Sequence, residues 1–173
     1  MQAQTFWKMI TMDQENFLDR LITLLNEQAI RYCVIGGQAV NAYVEPLVSL
    51  DLDLVVVAEQ FQQVETLLTE HFKVKRFPHS LNVSLAGSDL RVQLQTDPRY
   101  AVFPERASPG NVLGVTLPVA SVEDVLTGKV WAAQDPTQRA SKRQKDLADI
   151  ARLIEAYPEL RTQVPSDIVA KLI

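Results

Sequence analysis

The run Ser49-Leu50-Asp51-Leu52-Asp53-Leu54-Val55-Val56-Val57 reads as a strand whose two faces differ. Side chains alternate along a strand, so Asp51 and Asp53 leave one face together while Leu50, Leu52 and Leu54 pack on the other. Two carboxylates held this close in an apolar strand repel each other and lose hydration, a cost that a cation or hydrogen bonds must offset. Magnesium suits the pair, because it takes hard oxygen ligands and works with one or two carboxylates plus substrate phosphates. A plainer reading puts both aspartates at a strand edge facing water.

Upstream, Gly36-Gly37 closes the apolar run Arg31-Tyr32-Cys33-Val34-Ile35 and opens a short helical stretch, Gln38 to Val44, which stops near Pro46. Glycines at a strand-to-helix junction let the backbone turn sharply and approach a ligand, and the helix start offers free N–H groups to phosphate oxygens. The pair has neither the spacing of a dinucleotide fingerprint nor the lysine of a P-loop. Its weight comes from order: strand, Gly-Gly, short helix, strand with Asp-x-Asp. In that order the turn can hold a triphosphate while the aspartates hold its metal.

The periodicity predicts a helix from about Asp13 to Gln28, with Phe17, Leu18, Leu21, Leu24 and Leu25 on its apolar face, and another over Phe61 to Phe72. Three strands follow, Phe72 to Phe77, Leu81 to Leu85 and Leu90 to Gln95, and after Ser108-Pro109-Gly110 one more, Val112 to Val119. Ser121-Val122-Glu123-Asp124 has the chemistry of a helix start: a hydroxyl cap and acids in the first turn. That helix should run to Gln134 and break at Asp135-Pro136; a second, Gln138 to Tyr157, packs through Leu147, Ile150, Ala151 and Ile154 and ends at Pro158. The tail, 159–173, reads as a short helix or two. The expected fold is α/β (α+β): one domain over 1–173, with a mixed sheet and helices to about residue 120 and a helical C-terminal extension from 121 to 173.

Composition narrows the function. With 47% hydrophobic and 22% charged residues the chain is an ordinary globular one, and no apolar run is long enough to cross a bilayer. The N-terminal MQAQTFWKMITMDQE lacks the pattern of a secretory signal, so a cytoplasmic location is the expectation. A net charge of −4 argues against a broad, sequence-independent grip on DNA, but leaves room for a nucleotide or an RNA end at a local basic patch. Cys33 is the only cysteine, which excludes an internal disulfide or thiolate metal cluster. Trp7 and Trp131 read as packing residues, with Trp7 also placed to meet a partner subunit, and His71 and His79 carry no metal-ligand spacing.

The segment Val34-Ile35-Gly36-Gly37-Gln38-Ala39-Val40, with thirteen residues between Gly37 and Asp51, and then Asp51-Leu52-Asp53-Leu54 resembles the signature of the polymerase-beta-like nucleotidyltransferase superfamily. Asp97-Pro98-Arg99-Tyr100, Val119 to Val125 with Lys129, and Lys145-Asp146-Leu147-Ala148-Asp149 with Leu153 extend the likeness toward small bacterial nucleotidyltransferases of the abortive-infection toxin type. The resemblance implies a nucleotidyltransferase-like mixed sheet and magnesium-dependent transfer of a nucleoside monophosphate from a nucleoside triphosphate (NTP) to an RNA or protein acceptor. Manganese can replace magnesium, and an antitoxin-like protein is an implied partner. By the same resemblance Asp51 and Asp53 hold the metal, Gly36, Gly37, Gln38 and Ser49 line the nucleotide site, and Lys129 neutralises the triphosphate. Read on its own, Lys129 is equally a solvated lysine on an amphipathic helix.

Two positions depart from that pattern. By the resemblance the third carboxylate belongs on a later strand, where Gln93 stands; glutamine offers a carbonyl oxygen but neither negative charge nor a base. Asp89 and Asp97 share its strand parity and could substitute in another register, though four residues of strand span roughly 13 Å. Leu47 and Ser49 stand where relatives often carry arginine and threonine, keeping a hydroxyl and losing a cation. Two readings therefore stay open: an active transferase, and a catalytically weakened member that binds nucleotide or a partner without transfer. Between Arg139 and Asp149, Lys142 and Lys145 are spaced to pair with Asp146 and Asp149 along one helix, or to meet a phosphate-bearing acceptor.

Overall fold

The computed structural model describes residues 2–172. Seven strands form one mixed sheet: β1 (Tyr32–Ile35), β2 (Asp51–Val56), β3 (Lys73–Phe77), β4 (Ser80–Ser84), β5 (Arg91–Gln95), β6 (Ser108–Val112) and β7 (Val115–Val119). Their order across the sheet is β3-β4-β5-β2-β1-β7-β6, with β2–β5 and β1–β7 parallel and the other pairs antiparallel. Seven helices accompany it: α1 (Ala3–Ile10), α2 (Phe17–Glu27), α3 (Gly36–Tyr43), α4 (Phe61–His71), α5 (Val122–Gln134), α6 (Ala140–Ala156) and α7 (Ser166–Val169). This is the mixed α/β fold with a helical C-terminal extension that the sequence implies. Among the described residues no helix is long and apolar enough to cross a membrane.

The alternation in β2 sets the core. Leu52 and Leu54 are fully buried, and so are Val92 and Leu94 on β5 and Leu81 and Val83 on β4, which share their side of the pleat. Phe17, Leu21 and Leu25 of α2 and Val64 and Leu68 of α4 join the same cluster. Each such side chain contributes roughly 1.5–3 kcal/mol by leaving water.

Several boundaries differ from expectation for local reasons. The second helix starts at Phe17, not Asp13: Asn16 turns left-handed (φ 55°), and Asp13 accepts the backbone N–H groups of Phe17 at 2.7 Å and Leu18 at 3.3 Å, capping the helix from outside it. The expected strand from Val112 to Val119 is the second arm of a hairpin. Leu113 and Gly114 both have positive φ (53° and 80°), the geometry of a tight two-residue turn. Leucine is rare there, which hid the hairpin. Ser121 does cap α5, its hydroxyl accepting the Asp124 N–H at 3.2 Å. The tail forms a 3-10 turn, Pro158–Gln163, and then α7; residue 173 lies outside the described residues. Cys33 is buried, with its thiol pushed up to about 12 by burial and by the charge of Asp124.

Candidate active site

The glycine pair does not precede the third helix but begins it. Gly36 has φ +69°, a conformation that side-chain-bearing residues rarely adopt. Its second constraint is space: a Cβ there would lie 3.1 Å from Cβ and Cγ of Asp53 and overlap Oδ2. The Asp53 carboxylate therefore lies directly on the backbone at the start of α3. At Gly37 a Cβ would meet nothing within 4 Å, so that part of the turn opens into free space.

The register fixes what stands beside the aspartates. Asp53 pairs with Ile35 on β1 and with Gln93 on β5, and Asp51 with Arg91. The side chain opposite Asp53 is thus an amide. Arg91 Nε lies 2.7 Å from Asp51, but both side chains are more than half exposed. No cation lies within 4.0 Å of Asp53 among the described residues.

Burial pushes the Asp53 carboxyl up to about 6; the charges of Lys129 and Lys142 act against this, while Asp51 and Asp146 add to it. A carboxylate this reluctant to ionise gains from a counter-charge brought by a ligand. Strand parity puts Asp51, Asp53 and Gln93 on one side of the sheet, and two carboxylates with an amide carbonyl are hard oxygen donors of the kind magnesium takes together with substrate phosphates. Among the described residues no three His, Cys, Asp or Glu side chains gather into a metal-binding group.

The loop between α3 and β2 is held by side-chain amides. Gln38 is buried and donates to the Ser49 carbonyl at 3.2 Å; Asn41 donates to the Leu47 carbonyl at 2.7 Å and accepts the Leu47 N–H at 3.0 Å. The Ser49 hydroxyl accepts the Asp51 N–H at 3.2 Å. Gln38 and Ser49 accordingly shape the approach to Asp51 from the protein side. Leu47 and Val48 stay exposed at the loop tip.

Lys129 occupies a different setting from a free phosphate-binding lysine. Its ammonium lies 3.0 Å from Asp146 and 2.9 Å from Asp149, and its side chain is only 12% exposed. Burial alone would lower its proton affinity, but Asp149 and Asp146 outweigh it and hold the lysine above its ordinary value. Gln138 donates to Asp146 at 2.7 Å, and Arg152 to Asp149 at 2.8 Å. The two aspartates of α6 thus turn inward to α5, where the sequence suggested pairing with Lys142 and Lys145 along their own helix. Trp131 stacks on Phe103 and meets Tyr100 edge-on, with the Arg99 guanidinium 4.6 Å above it. Trp7 is partly buried against the core.

A mixed sheet with same-face aspartates on a central strand, set against a glycine-initiated helix, defines a polymerase-beta-like nucleotidyltransferase fold. Residues 34–172 match the family model described as nucleotidyl transferase AbiEii toxin, type IV TA system, and the chain belongs to that family. The fold is similar to that of the antibiotic-resistance factor ANT(2'')-Ia solved with adenylyl-2''-tobramycin (12% identity, 93% of this chain and 99% of that one, TM-score 0.63). It is also similar to the lincosamide antibiotic adenylyltransferase LnuA bound to lincomycin (14% identity, 79% of this chain and 95% of that one, TM-score 0.52). At these identities the likeness concerns the fold. No curated protein matches the sequence.

Proposed function

We propose that the protein is a cytoplasmic nucleotidyltransferase, moving a nucleoside monophosphate from an NTP to an acceptor hydroxyl or phosphate with magnesium, or manganese in its place. The observation that carries this reading is the seat of Asp53: a carboxylate resting on the Gly36 backbone, beside Asp51, with no protein cation paired to it. A half-buried acid left without a protein cation next to an open helix start suits a cation that arrives with phosphate.

Asp51 and Asp53 would hold the metal, which supplies charge stabilisation to the triphosphate and its leaving pyrophosphate. The Gly37 turn is open to phosphate oxygens, while Gln38 and Ser49 keep the loop before β2 in place. In the transfer, a bond forms from the acceptor oxygen to the α-phosphorus, the α–β bridging bond breaks, and pyrophosphate leaves. When the acceptor is a hydroxyl its proton passes to solvent water, since the Gln93 amide is not a base. An antitoxin-like partner belongs to the same proposal, supported by the family description.

Gln93, in register with Asp53, specifically favours a second reading, binding without transfer. Incubation of the protein with each labelled NTP, magnesium or manganese, and total RNA or protein separates the two. Incorporation that disappears in Asp53→Asn supports transfer. Tight binding of a nonhydrolysable NTP with no incorporation under any condition supports the second reading, and no binding at all removes both.

A further inference from the structure

The side of the sheet that carries Asp53 does not end at the site. Register places Asp53, Gln93, Asn82 and Lys75 in one unbroken row across β2, β5, β4 and β3. A neighbouring row runs Val55, Gln95, Ser80 and Phe77. Strand parity adds Arg91, Ser84 and Lys73 to the same face.

The two halves of this face differ. Along Cys33 and Val55 it is closed: both are buried, and the 3-10 turn Phe103–Arg106 touches β1 and β2, while the Asp51 end of β2 stays exposed. Over β5, β4 and β3 it is open apart from Ser80, which is buried. Gln93 and Gln95 are partly exposed, and Arg91, Asn82, Ser84, Lys73, Lys75 and Phe77 are exposed. The opposite face of the same strands holds Val92, Leu94, Leu81 and Val83 in the core.

The open half is cationic and hydrogen-bonding. Lys73 and Lys75 have no carboxylate within 4.0 Å among the described residues, and the only acids on this face of β2 to β5 are Asp51 and Asp53. Lys75 lies over the Phe77 ring, 5.2 Å from its centroid, so the outer edge combines a cation with an exposed aromatic surface. Three strand spacings separate Asp53 from Lys75, roughly 14 Å along the row. Cations tracking a backbone, an aromatic ring for a base and amides between them are what a single-stranded nucleic acid requires. With an overall charge of −4, a polyanion is held here by a local cationic patch and not by the surface as a whole.

Resting on the nucleotidyl-transfer reading, we propose that the open face of β5, β4 and β3 is the acceptor platform, taking single-stranded RNA whose end reaches Asp53 along the Gln93–Asn82–Lys75 row. Lysines on an edge strand also guard against strand-to-strand aggregation. Edge protection, however, asks nothing of Asn82, which lies on β4, an inner strand.

The test uses the whole protein and a fluorescein-labelled single-stranded RNA of mixed sequence, read by anisotropy at several salt concentrations. Calorimetry with a nonhydrolysable NTP and magnesium runs in parallel. Lys73→Glu with Lys75→Glu, and separately Asn82→Glu, should each weaken RNA binding by about tenfold or more and leave NTP binding unchanged. Neutralising both lysines, Lys73→Gln with Lys75→Gln, should lower the log–log salt slope by about 1.4. RNA binding that is absent in the wild type, or unaltered in Asn82→Glu, overturns the platform; so does labelled nucleotide appearing only on protein. If RNA binds and NTP does not, the transfer reading fails and the platform stands as a binding surface.

Discussion

Two aspartate pairs meet their cations in opposite ways. Asp146 and Asp149 on α6 face a lysine from the neighbouring helix, and each is also bonded to a further donor, Gln138 or Arg152. Asp51 and Asp53 on β2 share a single arginine, which reaches only Asp51 and does so in solvent. The first pair is electrostatically complete within the protein; the second is left open where a helix begins. Acids completed by the fold serve its stability, and acids that the fold leaves uncompensated are the ones to assign to a ligand.

The sharpest way to break this contrast is Lys129→Met. Removing the ammonium leaves Asp146 without a charge partner and Asp149 with Arg152 alone, and losing one side of a buried pair costs about 3–5 kcal/mol. Urea unfolding at neutral pH should show a loss at or near that size. The raised lysine pKa makes the pair's contribution complete below the ordinary lysine value and lost only as pH rises through the raised one, so neutral pH reports all of it. Unchanged stability with a weakened NTP affinity would instead make Lys129 a phosphate ligand.

Asp53→Asn should act in the other direction. With its carboxyl pushed up to about 6, the folded state favours the protonated acid more than the unfolded chain does. Stability contributed by that protonation is present at pH 3 and is lost as pH rises between about 4 and 6, leaving a penalty on the order of 2 kcal/mol at pH 7. The asparagine variant should therefore melt higher than the wild type at pH 7 and no higher at pH 3, while losing metal-dependent NTP binding. A variant less stable at pH 7 would show that Asp53 is structurally satisfied after all.

The strand pair was legible because a period of two leaves no choice: once Leu52 and Leu54 are buried, Asp51 and Asp53 share the other side. Gln93 was placed by the resemblance; alternation gave only a parity that Asp89 and Asp97 share, and the β2–β5 register is what sets Gln93 opposite Asp53. The Lys129 cluster was not legible, because it joins residues 17 and 20 positions apart on two helices. Helical spacing pairs each α6 aspartate with a lysine on its own helix, and only the packing of α5 against α6 replaces those partners. The hairpin at Leu113-Gly114 was hidden by a leucine in a left-handed position.

The glycines sharpen the comparison at the backbone. Gly36→Ala meets both a left-handed φ and the Asp53 carboxylate, and should cost about 1–2 kcal/mol while displacing Asp53 enough to weaken NTP binding. Gly37→Ala meets open space and should stay within about 0.5 kcal/mol. Thermal unfolding and calorimetry on the two variants, side by side, separate a crowded position from an open one.

The smallest effect is expected where the contrast looks weakest on paper. Arg91 and Asp51 are as close as Lys129 and Asp149, at 2.7 Å against 2.9 Å, but Arg91 is 69% and Asp51 54% exposed. Water screens such a pair and side-chain entropy opposes it, so Arg91→Ala should change stability by less than about 0.5 kcal/mol. Its consequence should appear in metal binding. Without the guanidinium, Asp51 has one fewer competitor for its oxygens, and manganese affinity followed by electron paramagnetic resonance should rise modestly in the presence of NTP. A stability loss as large as that of Lys129→Met would show that distance, not burial, sets the worth of these pairs.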